Sequence, residues 1–567
     1  MKLENLLRRV RHTCAAKPAL VDVQNTFTYG ELNEMVARCA AQMKSVQYTV
    51  VIHVECRIKA IVLMLAAIEN HLPFVPVDRD KSSSDLASIS ARFHTVQLIH
   101  DLDLASGKCI TEIHHSDTPL STYWGSMLAE SMSVMFTSGT TGTPKGVLVP
   151  GDAVVNLLHQ PAFFSWQAND VFATYSSLSF DASTFEIFTP LLNGNTLVIL
   201  NKTDVIDSTE LRSAVQCFGI SCMWMTAGLF NQLMKTGNFA GLTLLDTLVV
   251  GGDKVDFDAA LKYVDYPGAG QLFNGYGPTE NTVFTTVAPL TRETLNLRGS
   301  VPIGCQLPGI ECLVWDTEND RPADDGSGLL LVGGKGLSRG YFNDDKSTGM
   351  AFRRLGEGEK LYYDTGDHVY RERDGTFYFV GRTDRQVKLS GHRVELGDIE
   401  SRLEKLGLYE RVFCTLVDSE LVVMLQPKQS GIQVALLREA MKQTLNDYEL
   451  PKWILQLTDW PLTANNKLDI KSLQLRAESA CSERNTGLGN QDDASGYDIV
   501  GIAEQVLHRP IENKKMGLFD IGFDSINIAH FQYEVCNMFN VDIGIIDIYA
   551  AGTLENVERL VKEKTSI

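Results

Sequence analysis

Thr137-Ser138-Gly139-Thr140-Thr141-Gly142-Thr143-Pro144-Lys145-Gly146 follows directly on the apolar run Val134-Met135-Phe136. Three glycines, five hydroxyl side chains, one proline and one lysine fill those ten positions. Glycine lets backbone amides close on an anion, and small hydroxyls add donors without bulk. Lysine adds a compact point charge suited to phosphate. The segment therefore reads as a buried strand that feeds a phosphate-gripping loop, an α/β arrangement. It is not a Walker loop, because that motif needs Ser or Thr after the lysine and Gly146 stands there. A flexible linker is the competing reading, but linkers rarely follow a buried strand and end in Pro-Lys-Gly.

Around this loop, residues 1 to about 380 alternate strand-like runs with helical periodicity, the pattern of an α/β domain. Thr49 to Val54 and Thr196 to Leu200 are apolar and strand-like; Leu211 to Phe218 and Phe230 to Lys235 have helical spacing. From Asp384 to about Leu475 the pattern restarts as a smaller α+β unit, with an amphipathic helix expected over Glu395 to Leu406. Ala477 to Ser495 is polar, glycine-bearing and aperiodic, which predicts a linker. Helical periodicity returns at Ile499 to Leu507, Ser525 to Phe539 and Leu554 to Val561, a small helical module on a tether. The expected division is a large α/β core at 1–383, a small α+β unit at 384–476, a linker at 477–496 and an all-α four-helix module at 497–567.

At 567 residues the chain exceeds what one hydrophobic core supports. Its 44% hydrophobic and 21% charged residues fit a folded, water-facing protein. The start of the chain carries no apolar signal segment, and no apolar run is long enough to span a bilayer. Eleven scattered cysteines without CxxC pairs read as reduced thiols, which predicts a cytoplasmic setting without structural zinc. Cys217 and Cys222, the closest pair, read as core packing. A net charge of −19 excludes a nucleic-acid binder, which needs a basic face. It also means that any phosphate must be held by local amides, a few cations and metal.

Four more segments carry chemistry. Asn274-Gly275-Tyr276-Gly277-Pro278-Thr279-Glu280 offers a flat aromatic face between glycines and a carboxylate for a divalent cation. Tyr363-Asp364-Thr365-Gly366-Asp367 sets a carboxylate beside a turn, suited to ribose hydroxyls. The run from Gly381-Arg382-Thr383-Asp384 to Glu400 opens the second unit, and Asn465-Asn466-Lys467-Leu468-Asp469 puts one lysine on a polar loop. Each alone reads equally well as a turn, a salt-bridged helix start or a solvated lysine; five in fixed order do not.

In that order the segments resemble the adenylation domain of nonribosomal peptide synthetases, within the adenylate-forming, AMP-binding family that includes acyl-CoA ligases and luciferases. The resemblance runs from Phe27-Thr28-Tyr29-Gly30-Glu31-Leu32 through Pro73-Phe74-Val75-Pro76-Val77-Asp78 to Lys467. Near the C-terminus, Gly517-Leu518-Phe519-Asp520-Ile521-Gly522-Phe523-Asp524-Ser525-Ile526 resembles the 4′-phosphopantetheine attachment site of a peptidyl carrier protein. Ser525 would carry the arm; an ordinary N-cap serine is the alternative. Phe523 departs from the glycine usual in peptidyl carriers and leaves the carrier subtype open.

The resemblance implies two half-reactions: an amino-acid carboxylate attacks the α-phosphorus of ATP and expels pyrophosphate, then the carrier thiol takes the acyl group. Bringing an anion to a polyanion costs about 4 kcal/mol per unit repulsion at ~4 Å and an effective dielectric near ~20. By resemblance, Mg²⁺ at Glu280 and the charge of Lys467 offset this. Lys145 with Thr137, Ser138, Gly139, Thr140, Thr141 and Gly142 would clamp pyrophosphate, and Thr279 would touch the α-phosphate. Tyr276, between Gly275 and Gly277, would stack on adenine, and Asp367 with Arg382 would sit at the nucleotide. Asp384 matches the family's hinge, about which the small unit rotates to withdraw Lys467 and present the segment from Lys388 to Gly391. The resemblance further implies a phosphopantetheinyl transferase, a downstream condensation or acyl-transfer enzyme, and a small activator protein as a possible partner, with natural products such as antibiotics as the outcome.

The family's substrate pocket maps onto Asp181, Ala182, Phe185, Trp224, Val249, Gly251, Gly275, Val283, Phe284 and Lys467. Asp181 would pair with an α-ammonium, which an aryl or fatty acid lacks and would leave as a buried unpaired charge. The apolar wall suits a short branched side chain and resembles the family's valine pocket. A methylene changes selectivity by only about 1–3 kcal/mol, so isoleucine, leucine and 2-aminobutyrate are expected to leak through. Two alternatives stay open: an acyl- or aryl-acid ligase, and a catalytically idle docking scaffold.

Overall fold

The computed structural model describes the chain except residues 1, 44–48, 79–80, 82, 117–120, 138–143, 159–162, 318, 324–325, 357, 383–384, 390–391, 418–419, 429–433, 458–459, 462–469, 487–498, 508–510, 512, 524, 540, 542 and 566–567. Two mixed sheets organise the N-terminal part. One runs in the order Cys305–Gln306, Thr286–Leu290, Gln271–Tyr276, Thr247–Gly251, Cys222–Thr226, Val171–Thr174, Thr196–Ile199, Pro18–Val21, Thr26–Thr28. It is parallel from Gln271–Tyr276 through Pro18–Val21. The second contains Cys109–His115, Thr95–Leu102, Thr49–Ile52, Phe74–Pro76, Ser131–Thr137 and Lys145–Pro150. The helix Arg57–Glu69 is buried at every residue from Ala60 to Ile68, as expected for a helix that is apolar on all sides.

Residues 305–382 do not continue the alternating pattern. Ile310–Asp316, Gly326–Gly334, Lys360–Arg371 and Phe377–Arg382 pair antiparallel, with the short helix Asp345–Ala351 beside them. Burial alternates along Ile310–Asp316 and from Tyr363 to Tyr370, whereas Leu329 to Val332 in the central strand are buried on both faces, Leu330 and Val332 in the main core and Leu329 and Leu331 in a small cluster with Tyr362. The smaller unit has the hairpin Gln386–Leu389 and His392–Glu395, the helix Leu396–Lys405, and a sheet of Tyr409–Val417, Glu420–Pro427 and Trp453–Gln456.

The expected linker beginning at Ala477 needs correction: a helix spans Ile470–Thr486. Leu473, Ala477 and Cys481 are buried against Trp453, Leu455 and Trp460. One residue per turn is too narrow a stripe to show as a period, so the polar remainder hid the helix. Cys217 is exposed, which corrects its reading as core packing, whereas Cys222 is buried; both are free. The C-terminal module comprises the described helices Ile499–Leu507, Ser525–Phe539, Ile545–Ala551 and Leu554–Thr565. Among the described residues no helix is long and apolar enough to cross a membrane.

Candidate active site

In open α/β sheets ligands bind in the cleft beyond the carboxyl ends of the parallel strands, and Thr226, Gly251 and Tyr276 end three of those strands here. Trp224, on Cys222–Thr226, lies beside Val249 on the neighbouring strand, and Gly251 lies beside Gly275. Phe185 comes from the helix Ala182–Asn193 and meets Phe284 edge to face, with ring centroids 5.0 Å apart. Trp224 packs against Phe180 at 6.0 Å. A side chain on Gly275 would run into the Phe284 ring, and one on Gly251 into the Gly275 carbonyl. Ala182, Phe185, Trp224, Val249, Val283 and Phe284 are buried. The indole N–H of Trp224 is also buried and, among the described residues, has no hydrogen-bond acceptor, so this wall is not wholly apolar.

Val283 has φ +66°, which is strained for a β-branched residue. Thr282 precedes it at φ +54°, and the Phe284 amide donates to the Thr282 carbonyl at 2.9 Å, closing a tight three-residue turn. Gly277 permits this turn, because a Cβ there would meet the Val283 carbonyl at 2.4 Å. The turn is what brings Val283 and Phe284 to the pocket.

Asp181 sits at the N-cap position of Ala182–Asn193 yet makes no capping bond to it. Its Oδ2 instead accepts from the Thr279 hydroxyl at 2.6 Å, so the carboxylate is turned toward the cleft. Desolvation pushes the half-buried carboxyl above its ordinary range and the Glu280 charge adds to the rise, against which the Thr279 bond and the Lys388 charge act. Asp253 is likewise raised by burial, opposed by an amide bond and by Lys388.

Asp367 accepts from the Tyr276 hydroxyl through one oxygen and from Arg382 through the other. Burial and that neighbouring carboxylate hold the Tyr276 phenol well above its usual value. The Lys388 ammonium lies 5.9 Å from the Tyr276 ring centroid. Glu280 is buried and accepts from the Tyr341 hydroxyl at 2.6 Å, and Lys145 lies 5.0 Å from the Tyr341 ring centroid. Thr137 pairs with Lys145 across the hairpin, which fixes both ends of the loop whose residues Ser138, Gly139, Thr140, Thr141 and Gly142 lie outside the described residues. Lys467 and Asp384 also lie outside them. Ser525 begins the helix Ser525–Phe539.

The residues present fit a nucleotide and a divalent ion: a buried carboxylate at Glu280, a carboxylate and guanidinium pair at Asp367 and Arg382, and glycines flanking Tyr276. Single-sequence reading missed the scaffold behind them. Arg57 donates to the Thr174 hydroxyl at 3.0 Å and the Ser176 carbonyl at 2.6 Å. Glu186, fully enclosed, accepts from the Thr174 and Ser176 hydroxyls at 2.7 and 2.8 Å. Asp78 accepts from the Leu178 amide at 2.9 Å. Together they clamp the loop that leads into Asp181. Arg57 and Asp78 lie far from it in sequence; Asp78 ends the Pro73–Asp78 segment of the resemblance without showing this role, and no local pattern marks Arg57.

The model of the family "AMP-binding enzyme" matches residues 6–342, and that of the phosphopantetheine attachment site matches residues 498–561. Bacitracin synthase 1 of Bacillus licheniformis is 31% identical over 442 residues, 76% of this chain and 8% of that protein. Surfactin synthase subunit 2 of Bacillus subtilis (strain 168) is 31% identical over 585 residues, 97% of this chain and 16% of that protein. The chain thus spans a small fraction of the length of these relatives. In fold it is similar to holo-PA1221, an NRPS protein containing adenylation and PCP domains bound to a vinylsulfonamide inhibitor. The TM-score is 0.80 at 24% identity, over 99% of this chain and 97% of that one.

Proposed function

This chain belongs to the family of AMP-binding enzymes, and on that premise we propose that it activates an amino acid, L-valine foremost, and loads it on its own carrier domain for nonribosomal peptide or related natural-product assembly. It is an ATP-dependent adenylating ligase joined to a phosphopantetheine carrier domain. The observation that carries the amino-acid reading is Asp181, an N-cap residue that forgoes its cap and faces the cleft. An α-ammonium there would supply the charge that its burial lacks.

Phe185, Trp224, Val249, Val283 and Phe284 bound the space beyond Asp181 and support a short branched side chain. Thr279, already bonded to Asp181, would orient the substrate next to the α-phosphate. Asp367 and Arg382 would hold the ribose end, with Tyr276 against adenine. Lys145 and the hydroxyl loop would take the leaving pyrophosphate. Lys467 would neutralise the approach of carboxylate to phosphate, an electrostatic role and not a proton transfer. A Mg²⁺ ion at Glu280 would spread charge on the phosphates. The 4′-phosphopantetheine arm on Ser525 would supply the accepting thiol. Lys388 stands at the cleft beside Tyr276 and Asp181, which supports an arrangement of the small unit suited to the second half-reaction, with Asp384 as the hinge.

We place the core at 1–383, the small unit from 384 through Thr486, and the carrier at 497–567. A phosphopantetheinyl transferase and a downstream condensation or acyl-transfer enzyme are the proposed partners, with a small activator protein as an optional one. ATP–pyrophosphate exchange across valine, isoleucine, leucine, 2-aminobutyrate and threonine tests the substrate. Threonine belongs in the panel because it has valine's shape and would give the Trp224 N–H an acceptor. Exchange highest with valine supports the reading; exchange only with an aryl or fatty acid overturns it.

A further inference from the structure

Asp207 caps the helix Ser208–Phe218, its Oδ1 accepting from the Thr209 and Glu210 amides at 2.8 and 3.2 Å. Its second oxygen does something that capping does not require. Oδ2 accepts from the peptide N–H of Ile545 at 3.2 Å, in a buried contact across 338 positions of sequence. Ile545 belongs to the carrier and is itself buried.

The surroundings give this bond its meaning. The carrier helix Ser525–Phe539 lies on two core helices, Lys202–Ile206 and Ala227–Thr236. Val205, Ile206, Leu229 and Phe230 on the core side share one apolar cluster with Ile528 and Ile545 on the carrier side. Apolar packing holds surfaces together without fixing how far one slides along the other. A hydrogen bond fixes position. Among the described residues, Asp207 to Ile545 is the buried hydrogen bond that joins the core to the carrier. Lys442 to Asp520, which joins the small unit to the carrier at 3.0 Å, is solvent-facing, and such pairs contribute little. The register is passed on inside the carrier: Gln532, on the helix that Ser525 begins, donates to the Ile543 carbonyl at 2.7 Å, two residues before Ile545.

Resting on the ligase reading above, we infer that Asp207 is a positioning residue for the transfer to the carrier: it sets the attachment helix in register with the cleft while Lys388 occupies it. The arrangement is reversible by construction. When the carrier leaves, Oδ1 keeps its two intrahelical donors and Oδ2 exchanges one N–H for water, so release leaves no buried carboxylate oxygen without a donor. Amino-acid adenylation itself does not depend on the contact.

The test uses the full chain in its phosphopantetheinylated form. Asp207→Ser keeps a capping hydroxyl but is too short and has one oxygen, so the bond to the carrier is lost. Ile545→Pro removes the N–H from the other side; proline is suited to the first helical position, and Gly544 already has ψ 156°, which a following proline accepts. Each variant is expected to retain pyrophosphate exchange within about twofold and to slow single-turnover loading about tenfold, the ~1.4 kcal/mol scale of one charge-assisted bond. The double variant is expected to be no slower than either single one. Amide hydrogen exchange gives an independent reading: Asp207→Ser should deprotect 543–548 and leave 211–218 unchanged. Unchanged loading and protection, or additive losses in the double variant, overturn the inference. Deprotection of 543–548 in a chain that exchanges no pyrophosphate with any acid would uphold the docking and sink the ligase reading instead.

Discussion

Asp181 shows how one residue can carry both a functional reading and its own test. Its carboxyl is held above the ordinary carboxylate range by desolvation in the cleft. A substrate ammonium pairs only with the ionised form, so binding favours loss of the proton. The sign follows: affinity for the amino acid is full above the raised pKa and falls as pH drops through it. The KM for the amino acid is therefore expected to rise on acidification, beginning above the ~3.9 of a free aspartate. Asp181→Asn is expected to raise KM at least about tenfold and to flatten that pH profile; a profile that keeps its shape in the variant would remove Asp181 from ammonium recognition. The family resemblance singles the residue out in Phe180-Asp181-Ala182-Ser183. What the sequence could not show is that the side chain abandons its cap for Thr279, which lies 98 positions away.

At the scale of elements, strong periods were read well and weak ones poorly. The expected helix over Glu395 to Leu406 is the helix Leu396–Lys405, because its apolar residues recur on one broad face. The helix Ile470–Thr486 escaped because its buried face is a single row, Leu473, Ala477 and Cys481. That row makes a contrast testable in one helix. Leu473→Ala removes a fully buried side chain and is expected to cost about 2–5 kcal/mol. Leu475→Ala, 55% exposed, is expected to change stability by no more than ~0.5 kcal/mol. Denaturant unfolding followed through Trp453 and Trp460, which line this cluster, reads the difference, and equal effects would deny that the helix packs there. The antiparallel sheet from Ile310 to Arg382 was misread as more α/β alternation. Its period-two burial depends on which face meets the neighbouring sheet, and that partner is chosen by the fold.

On the scale of the whole molecule, the proposed function assigns one lysine to each of its two steps. Lys467→Ala is expected to abolish pyrophosphate exchange, a loss of at least about a hundredfold, while leaving transfer from supplied aminoacyl-adenylate measurable. Lys388→Ala is expected to leave exchange within about threefold and to slow loading of the carrier. Equal losses in both assays for both variants would refute a division between two arrangements of the small unit. The sequence by itself determined the α/β class and the family resemblance, and it is the source of the proposed phosphate loop, nucleotide segments and attachment serine, because each is a local constellation whose chemistry is written in neighbouring residues. The tertiary structure alone decided that Arg57, Asp78 and Glu186 clamp the loop before Asp181, and that a carboxylate at 207 meets a peptide N–H at 545. Such contacts join residues that share no local period, and only the packing of whole sheets and helices brings them within hydrogen-bond reach.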